Sequence, residues 1–282
     1  MIPLPFDYER ADSIEHALSL LTEHGDDAKL LAGGHSLLPL MKLRLAAPGV
    51  LIDVGRLSEL SYIREEGSHV AVGALTRHHD LEHSDLLAQE APILSHVAGQ
   101  VGDPQVRHRG TIGGSLAHGD PASDLPAVVL ALGGTLVARG PNGDREIAAD
   151  QFFTGFLETA LQPDELLTEI RVPKVAGAGW SYQKFNRRAQ DWAIVGVAAV
   201  RNAASVAERG SNGTGVALVN MGPAPVRATA VEQALAGGAS AADAAAQADQ
   251  GTEPSADLNA SVEYRRHLAR VLTRRALEEA GA

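Results

Sequence analysis

Apolar positions follow two alternating rhythms along this chain. Over residues 13–24 they recur at helical spacing, with Ser13 in the place of a cap, whereas residues 29–31 and 50–54 are short β-like runs. The alternation continues through a strand at 69–72, helical segments at His78–Glu82 and 90–101, and a hairpin whose arms, 135–138 and 145–148, flank Gly-Pro-Asn-Gly. Leu166–Pro173 reads as a strand, and Pro173 with Gly177 and Gly179 marks a boundary. Strands at 180–186, 193–201 and, after a Gly/Asn/Ser loop, 215–220 come next. The Ala-rich run 239–248 and the stretch 261–280 read as helices. On the last, Tyr264, Leu268, Val271, Leu272 and Leu277 fall near one face. Arg265, Arg266, Arg270, Arg274 and Arg275 lie largely off it, on a solvated face or one that docks an acidic partner.

Two stretches interrupt this rhythm in the same way. LLAGGHSLLPLMKLRL (residues 30–45) and RGTIGGSLAHGDPASDLPAVVLAL (residues 109–132) each pass from a β-like run through paired glycines into an apolar helical pattern. Without a Cβ, glycine reaches positive φ, lets a ligand approach the backbone, and helps successive N–H groups form an anion-binding nest at a helix start. In the first, Ala32, Gly33, Gly34, His35, Ser36 and Leu37 surround the turn, and Pro39 fits only in a first helical turn. In the second, Thr111, Ile112, Gly113, Gly114 and Ser115 surround the turn, and Asp124 stands at an N-cap position ahead of Pro126. Together the two could clamp a pyrophosphate; singly, each also reads as an ordinary tight turn. Neither supplies G-x-G-x-x-G or G-x-x-x-x-G-K-[ST], which disfavours a Rossmann or P-loop site.

These two motifs carry a resemblance. AGGHSLLPLMKLRLAAP (32–48) with TIGGSLAHGDPASDLPA (111–127) resembles the FAD-binding medium subunits of the molybdenum hydroxylases, the xanthine dehydrogenase and aerobic carbon monoxide dehydrogenase family, with the carbon monoxide dehydrogenase pattern the nearest. The likeness begins at IPLPFDYERADSIEHALSLL (2–21) and continues through LLTEIRVP (166–173) and KFNRRAQDWAIVGVAAV (184–200). Gly119 departs from the asparagine often found there. The resemblance implies an α+β protein with an FAD-binding fold of the vanillyl-alcohol-oxidase/p-cresol-methylhydroxylase type. Its two α/β subdomains would fall at residues 1–55 and 56–175, and a C-terminal α+β domain at 176–282.

Composition narrows the chemistry. The chain has 282 residues, a net charge of −11 and no cysteine. Its acidity argues against nucleic acid as a partner, and no apolar run reaches the ~18 residues of a membrane-span candidate. With Asp7, Glu9 and Arg10 in place of a signal-peptide core, the expected location is cytoplasmic, at the inner membrane face only through partners. Lack of cysteine excludes disulfides, thiol nucleophiles and cysteine-held iron–sulfur clusters in this chain, so an organic cofactor would have to carry any electrons.

The resemblance assigns roles to single residues. The two glycine stretches would contact the pyrophosphate and ribityl chain, and Asp124 a ribose hydroxyl, directly or through a neighbour. Leu167 would give an apolar contact, Lys184 would lie near the flavin, and Asp191 with Trp192 beside the isoalloxazine. Trp192 reads equally as an interface or core aromatic. His35 and His118 lack a third ligand at recognisable spacing, which disfavours a metal site. With no G-x-S-x-G, H-E-x-x-H or catalytic carboxylate pair, no substrate chemistry is assigned to this chain. The implied partners are a large molybdenum–pterin subunit and a small subunit with [2Fe–2S] clusters, in a dimer of heterotrimers that discharges to an acceptor such as quinone. A self-contained FAD-dependent oxidoreductase on the same fold is the alternative, and an assembly subunit without cofactor a further one.

Overall fold

The computed structural model describes residues 2–203 and 213–281, so most of the expected Gly/Asn/Ser loop lies outside the described residues. The first unit is a parallel sheet of β1 (Asp7–Arg10), β2 (Ala28–Leu31) and β3 (Val50–Asp53), with β3 in the middle. Helix α1 (Ile14–His24) is capped by Ser13, whose Oγ accepts the His16 N–H. It packs Ile14, Ala17, Leu20 and Leu21 into one cluster with Val50 and Ile52. Helix α2 (Leu37–Leu43) follows the first glycine stretch, with Pro39 in its first turn. Strand β1 carries no apolar alternation: DYER is exposed throughout and is held by backbone pairing with β3.

The second unit is an antiparallel sheet. β4 (Ile63–Glu66) and β5 (His69–Gly73) lead to helices α3 (His78–Glu82), α4 (Asp85–Glu90), α5 (Pro92–Ala98), α6 (Pro104–Arg107), α7 (Ile112–His118) and α8 (Asp124–Leu132). The hairpin β6 (Thr135–Gly140) and β7 (Gly143–Ala148), a short helix α9 (Ala149–Phe152) and the small pair β8 (Phe153–Gly155) and β9 (Glu158–Thr159) precede β10 (Leu166–Pro173). The strand order is β4-β5-β10-β6-β7, which puts the apolar β10 in the centre.

Three expectations for this region change. The helix expected over 90–101 is broken at Ala91, because Pro92 must start a new helix at its first position. Gly113, Gly114 and Ser115 do not form a turn: they lie inside α7, capped by Thr111, whose Oγ1 accepts the Gly114 N–H. Asp124 is not an N-cap; Ser123 holds that position and Asp124 is the first helical residue.

The third unit carries β11 (Gly179–Phe185), β12 (Val195–Arg201), β13 (Gly215–Val219) and β14 (Val226–Arg227) in sequential antiparallel order. Helices α10 (Thr229–Ala236), α11 (Ala241–Ala245) and α12 (Val262–Glu279) follow. The expected face of α12 is corrected: Tyr264 is exposed, while Arg265 is buried, paired with Asp257 and donating to the Ile194 carbonyl. A guanidinium held by an acid and a carbonyl can lie in a core where an unpaired one cannot.

Helix α8 joins the second and third units. All nine of its residues are buried, and Leu125, Val128 and Val129 share a core with Leu136 and Ile170 on one side and Ala198, Ala217 and Val219 on the other.

Candidate functional site

The two glycine stretches, distant in sequence, touch. A Cβ on Gly33 would strike the Arg109 carbonyl oxygen and come within 2.9 Å of the Gly110 Cα, so glycine is required there for close backbone approach. Gly34 follows at φ +79, the left-handed region that side chains disfavour. Beyond it, no acceptor among the described residues takes the backbone N–H of Gly33, Gly34, His35 or Ser36. Four successive partly accessible amides without acceptors form a ready cradle for an anion.

The second stretch is built differently. Ile112 N–H donates to the Thr76 carbonyl, Gly113 N–H to the Ala74 carbonyl, Gly114 N–H to Thr111 Oγ1 and Ser115 N–H to the Thr111 carbonyl. Gly113 is a packing residue, since a Cβ there would lie 2.5 Å from the Ala74 Cβ. At Gly114 a Cβ would meet only Thr111 Oγ1, at 2.8 Å, so this glycine leaves open space in front of α7. Ile112 is fully buried, whereas Gly114 and Ser115 are half-buried.

Where the two stretches meet, cationic side chains gather that the sequence reading did not single out. Arg77 caps α3, bridges to Thr111 and donates from Nη1 to the Arg109 carbonyl, the oxygen that Gly33 abuts. Burial, and then the neighbouring Arg109, lowers the pKa of Arg77. Neither arginine forms a salt bridge with a carboxylate among the described residues, so like charges face each other beside unpaired amides. That arrangement favours a bound anion. Next to Arg77, the buried His78 donates its N–H to the Gly110 carbonyl, and its ring lies against Gly110. Burial, with help from His35, Arg77 and Arg107, lowers the imidazole to about 4, so it is neutral at pH 7, and its Nδ1 has no partner. The available signal was local: TRHH (76–79) runs into α3 and VRHRG (106–110) runs into the second glycine stretch.

The third segment is organised around Asp124. Lys184 Nζ lies 2.8 Å from Asp124 Oδ2 and 3.1 Å from the Gln100 carbonyl, while Tyr182 donates its hydroxyl to Asp124 Oδ1. Lys184 and Asp124 are both buried. Burial pushes the Asp124 carboxyl above its ordinary range against the pull of Lys184 and Tyr182, and it holds the Tyr182 hydroxyl protonated. Both Asp124 oxygens are therefore occupied within the chain, which ties α8 to β11. Lys184 does reach the segment at Gln100 that leads to α6. Leu167 is a core residue of β10, 4% exposed.

Trp192 and Asp191 lie in the loop between β11 and β12. Asp191 is paired with Arg188, and Trp192 is 69% exposed. They line a cleft of about 490 Å³ with Arg187, Arg188, Val106 and Asn259. His35 and His118 enter no group of potential metal ligands among the described residues. Among those residues no helix is long and apolar enough to cross a membrane.

Comparison with known proteins identifies the family and the fold. Residues 4–175 match the family model described as the FAD binding domain in molybdopterin dehydrogenase, and residues 180–280 that of the CO dehydrogenase flavoprotein C-terminal domain. The carbon monoxide dehydrogenase medium chain of Hydrogenophaga pseudoflava is 44% identical, covering 100% of this chain and 99% of the relative. The 6-hydroxypseudooxynicotine dehydrogenase complex subunit alpha of Paenarthrobacter nicotinovorans is 39% identical, covering 99% and 96%. The solved structure of carbon monoxide dehydrogenase from Hydrogenophaga pseudoflava lacking the Mo-pyranopterin moiety superposes with a TM-score of 0.93 at 45% identity, covering 99% of this chain and 98% of that one.

Proposed function

The chain belongs to the FAD-binding medium subunits of the molybdenum hydroxylases, an oxidoreductase family, and from that premise we propose that it is the electron-transfer subunit of such a complex, with carbon monoxide the first substrate to assay. One observation carries the site reading: the unpaired amides of Gly33, Gly34, His35 and Ser36 lie against the Arg109–Gly110 backbone, to which Arg77 is bonded. A doubly charged pyrophosphate suits that cradle in charge and in donor geometry. FAD supplies a carrier that can take electrons singly and release them in pairs.

The chain's own residues bind and orient that cofactor. Gly33 to Ser36 would donate to phosphate oxygens while Arg77 and Arg109 would balance the charge. Gly114, without a side chain, leaves room for the ribityl chain beside Ser115 and Thr111. Asp124 would act through Lys184 and Tyr182, fixing the cation that lies beside the Gln100 carbonyl, and Asp191 with Trp192 border the cleft that would receive the ring system. Partner subunits supply the molybdenum–pterin cofactor and [2Fe–2S] clusters, and an acceptor such as quinone takes the electrons.

Native purification with flavin, iron and molybdenum analysis tests this reading. FAD with both metals and two co-purifying subunits supports it. FAD on a lone, metal-free chain that turns over a substrate would overturn it in favour of a self-contained flavoenzyme.

A further inference from the structure

Around α3 three histidines and a glutamate gather: His79 is two residues from Arg77, His108 adjoins Arg109, and Glu82 pairs with Arg107. His79 and His83 are four residues apart at the end of that helix, so their side chains share one face. The His79 ring lies between the rings of His83 and His108, with centroids 4.3 Å and 4.0 Å away. His79, Glu82 and His83 each offer one coordinating atom within 4.8 Å of the other two.

The surroundings of this group resemble the outer contacts of a metal centre. His83 Nδ1 lies 2.8 Å from the His79 carbonyl oxygen. A carbonyl can only accept, so Nδ1 carries a proton, and in the neutral imidazole Nε2 keeps its lone pair. Backbone contacts of this kind orient metal-ligating imidazoles. Glu82 is likewise fixed, its Oε2 accepting from Arg107 Nε at 2.8 Å, and the next residue, His108, ends α6. His79, His83 and His108 are partly or fully accessible, so an ion can reach them and their side chains can rotate inward.

We infer that His79, His83 and Glu82, with His108 as the adjacent fourth group, form a surface site for a divalent transition ion of the zinc or nickel class. Imidazole nitrogen with one carboxylate suits those ions and not magnesium or calcium, which prefer oxygen. Drawing ligand atoms in from 4.8 Å to tetrahedral spacing, with bonds of about 2.0–2.1 Å, requires rotation of the exposed His83 and of the half-buried His79 and Glu82. An ion there would clip α3 to the end of α6, the two segments that carry Arg77 and Arg109 toward the glycine stretches. The inference stands independently of the flavin reading.

Equilibrium dialysis of the full chain against zinc chloride in excess magnesium tests it, with thermal unfolding as a second readout. One zinc per chain is expected, bound about tenfold or more weakly by His79→Ala and by His83→Ala, with His267→Ala unchanged. Zinc should raise the melting temperature of the wild-type chain and of His267→Ala but not of the two site variants. Absence of stoichiometric zinc on the wild-type chain, or equal binding by both site variants, would overturn it.

Discussion

The two glycine stretches look alike in sequence and act differently in the fold. In the first, Gly33, Gly34, His35 and Ser36 keep their amides unpaired and partly accessible; in the second, every amide from Ile112 to Ser115 is already bonded within the chain. The reason is local. Thr111 caps α7 and so draws the second pair of glycines into a helix, whereas Ser36 makes no capping bond at α2. A glycine pair thus marks a place where backbone comes close to something, and its amides decide whether that something is a ligand or the protein itself. The first stretch keeps its amide donors free, and the second bonds its own within the chain and leaves space beside Gly114.

The scaffold role is tested most severely behind the second stretch. Lys184→Met should cost about 3–5 kcal/mol in denaturant unfolding, because it leaves the buried Asp124 without its cation. A loss below about 1 kcal/mol would show that the Asp124 cluster does not anchor α8.

Acid should act at the junction of the two stretches. His78 titrates near 4 in the fold and 6.5 when free, so between these values the unfolded chain binds a proton that the folded chain refuses. Its contribution is therefore complete above 6.5 and is lost as pH falls toward 4, by about 3 kcal/mol. Unfolding titrations at neutral and acid pH should show a shallower acid limb for His78→Leu; an identical limb would remove His78 from the account.

Neighbouring glycines sharpen the contrast. Gly113→Ala should destabilise by about 1–3 kcal/mol through its clash with Ala74, while the folded fraction still binds FAD. Gly114→Val should cost only about 1 kcal/mol, through the Thr111 cap, yet abolish FAD retention. The reverse pattern would exchange the roles assigned to the two residues.

The smallest expected effect is electrostatic. Arg77→Met should weaken FAD binding about tenfold, or about 1.4 kcal/mol, and reduce its salt dependence, while riboflavin, which lacks phosphate, binds unchanged. Equal loss for both ligands would place Arg77 away from the phosphates.

Much of this was legible in the chain. Periodicity located α1, the hairpin β6–β7 and most central strands to within a few residues, because their apolar patterns match what they bury. The motifs that carry the family resemblance pointed to the region where Gly33 meets Gly110. Edge strand β1 was not legible, since exposed DYER carries no apolar alternation and is held by backbone pairing and by the Tyr8 hydroxyl on Asp53. Nor was the burial of Arg265, which depends on Asp257 and the Ile194 carbonyl. The tie from Asp124 to Tyr182 and Lys184 needs three separate segments, and no local spacing announces it. Arg77 stands in the local run TRHH, but only the fold brings it to Arg109.

The most direct test of the central claim is hydrogen–deuterium exchange of the full chain with and without FAD, read by NMR or mass spectrometry at single-amide resolution. The account predicts that FAD slows exchange at Gly33, Gly34, His35 and Ser36, and leaves Gly113 to Ser115 nearly unchanged because their amides are already bonded. Binding of FAD that protects only the second stretch, or neither, would contradict it.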